Sequence, residues 1–173
     1  MLTKKLFTAS GDNETVGRKI EATDQILVFS LDDLSYALPL SIVIKVIHAI
    51  EFRHLPNAPE IISGIINLYG EIIPVADIRK RLGLAPREID PDDRLIIAVS
   101  GQRKVAIVVD SVAGIRDMLP GKISEAAETL PFAEHIKGVA KTDDGLILIY
   151  DLVGFLSIEE EKELEKAIKS TIK

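Results

Sequence analysis

The stretch Gly64–Gly83, GIINLYGEIIPVADIRKRLG, decides the fold of this chain. It contains two apolar runs, Gly64–Leu68 and Ile72–Val75, which are separated by Tyr69-Gly70-Glu71. Apolar runs of this length around a break that contains glycine are typical of a buried β-hairpin. The stretch contains no evident reaction centre, so it predicts a core hairpin that presents one tight turn to the outside.

A short helix is predicted directly after this hairpin, over Ile78–Leu82. Asp77 can cap its start, and Gly83 suits its C-terminal exit. The run Arg79-Lys80-Arg81 falls inside it, and we interpret these residues as a solvated helix face rather than a phosphate or acidic-partner patch. The formal net charge of −6 also disfavours nucleic acid as a main partner, because phosphate binding needs concentrated positive charge.

The composition favours a folded, β-rich protein. The chain has 173 residues, of which 47% are apolar, which suits one compact domain or two small subdomains. It contains no cysteine, which excludes disulfides and thiolate metal sites. No apolar run reaches the roughly 18 residues of a membrane span, and the first residues lack the long apolar core of a signal peptide. We therefore expect a cytoplasmic protein.

Apolar runs predict further strands on both sides of the opening stretch. Residues 1–24 are polar and aperiodic and are predicted to be a tail. Ser41 can cap a short helical turn that ends at Val46, and a turn of helix is expected before Gly138. The pattern of Val112–Met118 is ambiguous. The predicted strands are Gln25–Leu31, Ser35–Leu38, Leu95–Val99, Lys104–Asp110, Gly138–Lys141 and Leu146–Tyr150.

Residues 157–173 are predicted to form an amphipathic C-terminal helix that packs on the body of the protein. Ser157 and Glu160 have the spacing of a capping box, in which each side chain bonds the other residue's backbone N–H. Leu164, Ile168 and Ile172 then repeat every four residues, which places them on one helix face.

An internal repeat links the opening stretch to the last hairpin. Gly64 and Asp77 recur as Gly138 and Asp151, a constant offset of 74 residues (138 − 64 and 151 − 77). A weaker echo lies upstream, where Ala37 recurs as Ala106 and Val43 as Val112, an offset of 69 residues (106 − 37 and 112 − 43). Each unit holds about five strands, and a small barrel closes that number of strands without exposed edges. The repeat therefore predicts a pair of small β-barrels.

An ordered set of segments also resembles a known family, the CheW-like proteins of bacterial and archaeal chemotaxis. The family includes the coupling protein CheW, the regulatory domain of the CheA histidine kinase and the N-terminal half of CheV. The resemblance covers roughly residues 25–156. The segments that carry it are Phe29, Tyr36-Ala37-Leu38-Pro39, Leu55-Pro56-Asn57-Ala58-Pro59, Gly64-Ile65-Ile66-Asn67-Leu68, Ile73-Pro74-Val75-Ala76-Asp77-Ile78-Arg79, Val108-Val109-Asp110, Gly138-Val139-Ala140-Lys141 and Leu148-Ile149-Tyr150-Asp151-Leu152.

The resemblance implies a mostly β fold of two intertwined, five-stranded SH3-like barrels with short helices. In that fold the first barrel takes strands from both chain ends and the second takes the middle. On this basis we expect the tail 1–24 to be followed by the CheW-like domain 25–156 and the C-terminal helix 157–173. The first barrel is expected over about 25–60 and 130–156, and the second over about 61–129.

The resemblance further implies a non-catalytic adaptor without cofactor or metal, which couples chemoreceptors to CheA. Its expected partners are the CheA regulatory domain, at one end of a barrel, and the cytoplasmic tip of methyl-accepting chemoreceptors, in the groove between barrels. Nucleic acid binding and direct membrane insertion are not expected, and the protein should associate with cytoplasmic receptor arrays. A CheV-like or kinase-derived regulatory module is an alternative, although the absence of a receiver domain counts against CheV.

Two positions depart from the family pattern on the implied partner surface. Tyr69 stands where the family usually has arginine, and Lys45 stands where it commonly has glutamate. Tyrosine offers a ring and one hydroxyl in place of a charged fork, and it can still anchor an interface. The predicted partner-binding residues are Val43, Lys45, Val46, Asn67, Leu68, Tyr69 and Gly70.

A small-ligand or metal-dependent enzyme built on the same barrels is a second alternative, because a groove between barrels is a common place for a pocket. His48 and His54 are six residues apart, which does not suit a helical metal pair. Asp110 ends a strand with no base or nucleophile beside it in the sequence. The acidic pairs Asp32-Asp33, Asp92-Asp93 and Asp143-Asp144 fall in predicted turns, while Asp77 and Asp151 fit as caps. No catalytic residue is therefore predicted.

Overall fold

The computed structural model describes residues 24–118, 123–124 and 133–172. They form a mostly β structure that ends in a helix, as predicted, whereas the predicted tail lies outside the described residues except for Asp24. The strands are β1 (Asp24–Leu31), β2 (Leu34–Pro39), β3 (Val43–His48), β4 (Ile62–Leu68), β5 (Glu71–Ala76), β6 (Arg94–Ser100), β7 (Arg103–Val109), β8 (Ser111–Met118), β9 (Ile123–Ser124), β10 (Ile136–Thr142) and β11 (Gly145–Tyr150), and the helix is α1 (Ile158–Ile172).

The opening stretch folds as the predicted hairpin, with β4 and β5 antiparallel. The short helix after it is a 3₁₀ turn at Lys80–Leu82, which ends at Gly83 with a left-handed φ of 71°. Gly64 is required by close packing, since a Cβ atom there would lie 2.3 Å from the carbonyl oxygen of Arg53. This contact lets the chain at Arg53 bridge to Ile65 and cover part of the β4 edge.

The strands form two sheets in which equivalent strands of the repeat follow one another in the same order. The first sheet has the order β9-β10-β11-β2-β1-β8, and the second has the order β3-β6-β7-β5-β4. Apart from the two-residue strand β9, each sheet takes two strands from one repeat and three from the other. We call each sheet with the core it encloses the first and the second barrel. The predicted intertwining of two barrels is confirmed.

The register confirms the repeat at the level of single residues. Parallel pairing joins Ala37 to Ile149 in the first sheet and Ala106 to Val75 in the second, which are equivalent pairs at the two offsets. The β-bulges repeat as well. One lies between Ile62 and Gly64 and its copy between Ile136 and Gly138, and another lies between Val43 and Lys45 with its copy between Val112 and Gly114.

The predicted barrel boundaries do not follow this exchange of strands. The predicted boundaries place β3 in the first barrel, but it pairs with β6 in the second sheet. They place β8 in the second barrel, but it pairs with β1 in the first sheet. An apolar pattern identifies a strand but not its partner. The helical turn predicted to end at Val46 is also wrong. Only Leu40–Ile42 is a 3₁₀ turn, and the β-branched residues after it favour the strand β3.

The buried apolar residues of the described chain form three clusters. The central cluster lies between the sheets and takes Val105, Ile107 and Val109 from β7. The alternate residues of the same strand, Ala106 and Val108, enter the core of the second barrel. The first barrel has its own smaller core. This two-residue alternation explains why the sequence of β7 is apolar at every position.

The helix α1 packs on the central cluster, as predicted, with Leu164 and Ala167 buried. The predicted capping box is formed. Ser157 Oγ accepts the Glu160 N–H at 3.1 Å, and the Glu160 carboxylate accepts the Ser157 N–H at 2.9 Å. The same carboxylate pairs with Arg81 at 2.6 Å, so the helix start is tied to the opening stretch by charge as well as by packing.

Candidate partner-binding site

The turn between β4 and β5 is a two-residue hairpin loop, Tyr69-Gly70, flanked by the paired residues Leu68 and Glu71. Tyr69 and Gly70 both have positive φ angles, of 54° and 85°, as a type I′ turn requires. Asn67 Oδ1 accepts the Gly70 N–H at 2.8 Å and fixes the loop. Asn67 and Gly70, two of the predicted partner-binding residues, therefore shape the turn and are themselves exposed on it.

Tyr69 is the most exposed large apolar side chain of the described residues, with 88% of its surface accessible. Left-handed backbone costs a non-glycine residue roughly 1 kcal/mol. The Lys45 ammonium lies 4.8 Å from the centre of the Tyr69 ring, within the range of a cation–π contact. The two residues that depart from the family pattern are thus in contact, which their separation in the sequence does not reveal.

This contact joins the two edges of the second sheet, since Lys45 lies on β3 and Tyr69 directly follows β4. The remaining predicted residues surround it. Val43 and Val46 are half-buried against the central cluster, and Leu68 packs on the core of the second barrel. An ion pair of 2.8 Å between Lys104 and Glu71 flanks the turn and was not expected from the sequence.

The structure also contains an ionic network that the sequence did not predict. Arg79 is only 3% exposed and donates to Asp32 at 2.7 Å and to Asp110 at 2.5 Å. The interpretation of Arg79-Lys80-Arg81 as a solvated face is therefore wrong for Arg79. It is also wrong for Arg81, which pairs with the carboxylate of Glu160 on the helix, and it holds for Lys80, whose partner Glu60 is exposed.

Asp110 lies at the centre of this network, where the chain passes from β7 in the second sheet to β8 in the first. Its carboxylate accepts from Arg79, from Arg87 and from the backbone N–H of Asp32. Partial burial disfavours the charged carboxylate, but these donors outweigh that effect and hold the pKa of Asp110 below its ordinary value. Arg87 also binds the buried Asp93 at 2.9 Å. The network therefore joins the two sheets.

Several of the acidic residues considered for catalysis have structural partners. Asp77 accepts the Arg79 N–H at 3.0 Å and Asp151 accepts the Val153 N–H at 3.1 Å, so both carboxylates fix backbone turns at equivalent repeat positions. The prediction that they cap helices is wrong, because the 3₁₀ turn Lys80–Leu82 has no side-chain cap and the element after Asp151 is the helix that begins at Ile158. Asp144 pairs with Arg116 at 2.8 Å.

Over the described ranges, no group of three or more His, Cys, Asp or Glu side chains could hold a metal ion. In the same ranges, no helix is long and apolar enough to cross a membrane.

An apolar cavity of about 440 Å³ lies where β3 ends and β6 begins. Ile50, Phe52, Ile89 and Pro91 line it, and Ile50 is exposed at its rim. Sequence reasoning did not single out these residues. Their signal was weak, because isolated apolar residues beside prolines and charges are typical of an ordinary loop.

Comparisons with known proteins agree on one family. The model of the CheW-like domain matches residues 25–160. Chemotaxis protein CheW of Klebsiella aerogenes is 28% identical over 160 residues, which cover 91% of this chain and 92% of that protein. Protein FrzA of Myxococcus xanthus is 31% identical over 122 residues, which cover 68% of this chain and 74% of that protein.

Among solved structures, the scaffolding protein TtCheW of Thermoanaerobacter tengcongensis has a TM-score of 0.73 at 34% identity. The match covers 80% of this chain and 95% of that one. The fold and the ordered segments thus lead to the same conclusion: the chain belongs to the CheW-like domain family.

Proposed function

We propose that this protein is an adaptor of chemotaxis signalling that couples methyl-accepting chemoreceptors to the CheA histidine kinase without catalysing a reaction. The observation that carries the proposal is the family match over residues 25–160, joined to a fold shared with a scaffolding protein over 80% of the chain. Its expected place is the cytoplasm, at receptor arrays.

The receptor-facing surface in this proposal is the second barrel around Lys45 and Tyr69. Support comes from the exposure of the Tyr69 ring and from the half-buried apolar residues Val43 and Val46 on the adjoining edge strand. If the receptor tip is a helical hairpin that lies along this surface, it would bury the ring of Tyr69. Aromatic residues contribute strongly to interface energy.

The kinase-facing surface in this proposal is the end of the second barrel that carries the cavity at Ile50 and Phe52. A small apolar cavity with an exposed isoleucine at its rim suits a complementary apolar side chain from a partner barrel. The two proposed surfaces lie at different places on the barrel, which would let both partners bind at once.

The absence of catalysis is supported by what the ionisable side chains already do. Asp110, Asp93 and Asp32 are engaged by arginines, while Asp77 and Asp151 cap backbone turns. Nothing in the described residues favours the enzyme alternative or the separate regulatory module over the adaptor.

Titration calorimetry with the CheA regulatory domain of the same organism tests the proposal. We expect saturable 1:1 binding, weakened by Ile50→Asp because a carboxylate would be buried at the apolar rim. Leu146→Asp is the matched control, since Leu146 is an exposed apolar residue of the first barrel. Absence of binding by the wild-type protein would contradict the adaptor role.

A further inference from the structure

Resting on the proposed function, we infer that the Lys45–Tyr69 pair selects its partner by chemistry: a helix that presents an acidic side chain beside an apolar one. The carboxylate would bind the Lys45 ammonium, and the apolar group would pack on the Tyr69 ring. A cognate receptor tip must therefore carry both side chains at this surface.

The local charges favour an acidic partner group. Glu71 is engaged by Lys104 at 2.8 Å, and the Asn67 side chain by the Gly70 N–H at 2.8 Å. No carboxylate among the described residues pairs with Lys45. A ring face satisfies an ammonium only in part, since three N–H donors remain to be shared. In a chain of net charge −6, this leaves a positive charge on an exposed aromatic surface.

The backbone at Tyr69 favours a binding role over a folding role. Glycine adopts a φ of 54° freely, whereas tyrosine is strained there. The ring gains little from burial, because 88% of it stays exposed. Its contact with Lys45 offsets part of the strain but uses one face of the ring. The other face is left to an apolar group of the partner, and exposed aromatic anchors of this kind carry interface energy.

The first barrel shows the alternative arrangement, in which the edge cation is neutralised within the chain. The turn equivalent to Tyr69-Gly70 is Asp143-Asp144, at the 74-residue offset. There Asp144 pairs with Arg116 of the edge strand β8 at 2.8 Å. The second barrel has a lysine on its edge strand and no turn carboxylate facing it. The missing carboxylate is the group that we assign to the partner.

A helix can supply both groups at once. Residues three or four positions apart lie on one helix face, with Cβ atoms about 5–6 Å apart. This spacing is comparable with the 4.8 Å between the Lys45 ammonium and the Tyr69 ring centre. An acidic residue followed by an apolar one at that spacing would therefore meet Lys45 and Tyr69 together.

The test measures binding of a soluble chemoreceptor tip fragment of the same organism to full-length variants at several salt concentrations. We expect Lys45→Met to weaken binding about tenfold and to flatten its salt dependence, with Lys45→Glu weaker still. Tyr69→Phe should bind like wild type, because the ring is kept, whereas Tyr69→Asn, which tolerates the left-handed turn, should bind weakly. Arg116→Met in the first barrel is the matched control and should change nothing.

A charge exchange sharpens the result. Lys45→Glu should be rescued by changing the tip's acidic residue to lysine, and no loss of packing alone would produce such a rescue. Unchanged affinity and salt dependence in Lys45→Met would overturn the inference while leaving the adaptor role intact. A tip fragment that fails to bind while the CheA regulatory domain binds would also overturn it. Failure of both wild-type titrations would instead refute the proposed function and the inference with it.

Discussion

The two barrels share one strand plan but differ in how their edges meet. In the first barrel, the last hairpin meets its edge strand through the ion pair of Arg116 and Asp144 at 2.8 Å. In the second, the corresponding contact is Lys45 on the ring of Tyr69. The ion pair neutralises both charges within the chain, whereas a cation on an exposed ring keeps its charge and leaves ring surface open. The two equivalent turns therefore differ in charge, and we propose only the second as a binding site.

The two places where the chain crosses between the barrels also differ in their contacts. The chain passes from β2 to β3 through the 3₁₀ turn Leu40–Ile42, which has no side-chain cap. At the second crossing, from β7 to β8, Asp110 is held by Arg79 and Arg87. The first joint is thus apolar and the second ionic. Removing a charge or changing the pH should therefore affect the free energy of unfolding mainly through the second crossing, where Asp110 pairs with Arg79 and Arg87.

The largest effect is expected from Arg79→Met, which breaks the ionic joint. Asp32 and Asp110 would lose their charge-assisted hydrogen bonds to the buried guanidinium. Because both carboxylates are partly exposed and Asp110 keeps Arg87, the expected loss of stability is about 1.5–3 kcal/mol. Urea unfolding measures the loss. Lys80→Met is the matched control, because its ion pair with Glu60 is exposed and should be worth less than about 1 kcal/mol. Similar losses in both variants would contradict the ionic joint.

A smaller effect is expected from acid. The pKa of Asp110 in the folded protein lies below the ordinary value of 3.8. The contribution of Asp110 to the free energy of unfolding is therefore fully present above pH 3.8 and is lost as the pH falls through the folded pKa. The free energy of unfolding should therefore fall below about pH 4 in wild type, and less steeply in Asp110→Asn. Parallel pH curves for the two proteins would show that Asp110 does not contribute in this way.

The smallest effect on stability is expected from Tyr69→Gly. Relief of the left-handed strain, worth roughly 1 kcal/mol, should nearly balance the lost cation–π contact of about 0.5–1 kcal/mol. The free energy of unfolding of the variant should therefore lie within about 0.5 kcal/mol of the wild-type value. The variant should nevertheless bind the receptor tip poorly. A large loss of stability would assign Tyr69 a structural role, like that of Asp144 in the first barrel.

Much of the framework could be predicted from the sequence because it depends on local chemistry. Asp77, Gly83 and the Ser157–Glu160 capping box act on backbone groups a few residues away, and the structure has each contact. The repeat offsets also predicted two barrels, and the resemblance to the CheW-like family implied the exchange of strands between them. In the structure, equivalent residues pair equivalently.

The rest depended on contacts between distant parts of the chain. Arg79 sits in a basic run that looks solvated, and its partners Asp32 and Asp110 are 47 and 31 residues away. The apolar pattern of β3 does not reveal which strand it pairs with, and the predicted boundaries therefore place β3 in the wrong barrel. The contact of Lys45 with Tyr69 forms only when the two sheet edges meet, so the two departures from the family pattern look unrelated in the sequence.

Kinase activity in a reconstituted receptor–CheA mixture is the most direct measure of the adaptor role. We predict that receptor-containing membranes activate CheA autophosphorylation only when this protein is added. Tyr69→Asn should lower that activation, while Asp143→Asn, at the equivalent position of the first barrel, should leave it unchanged. Activation that is the same with and without the protein would contradict the central claim.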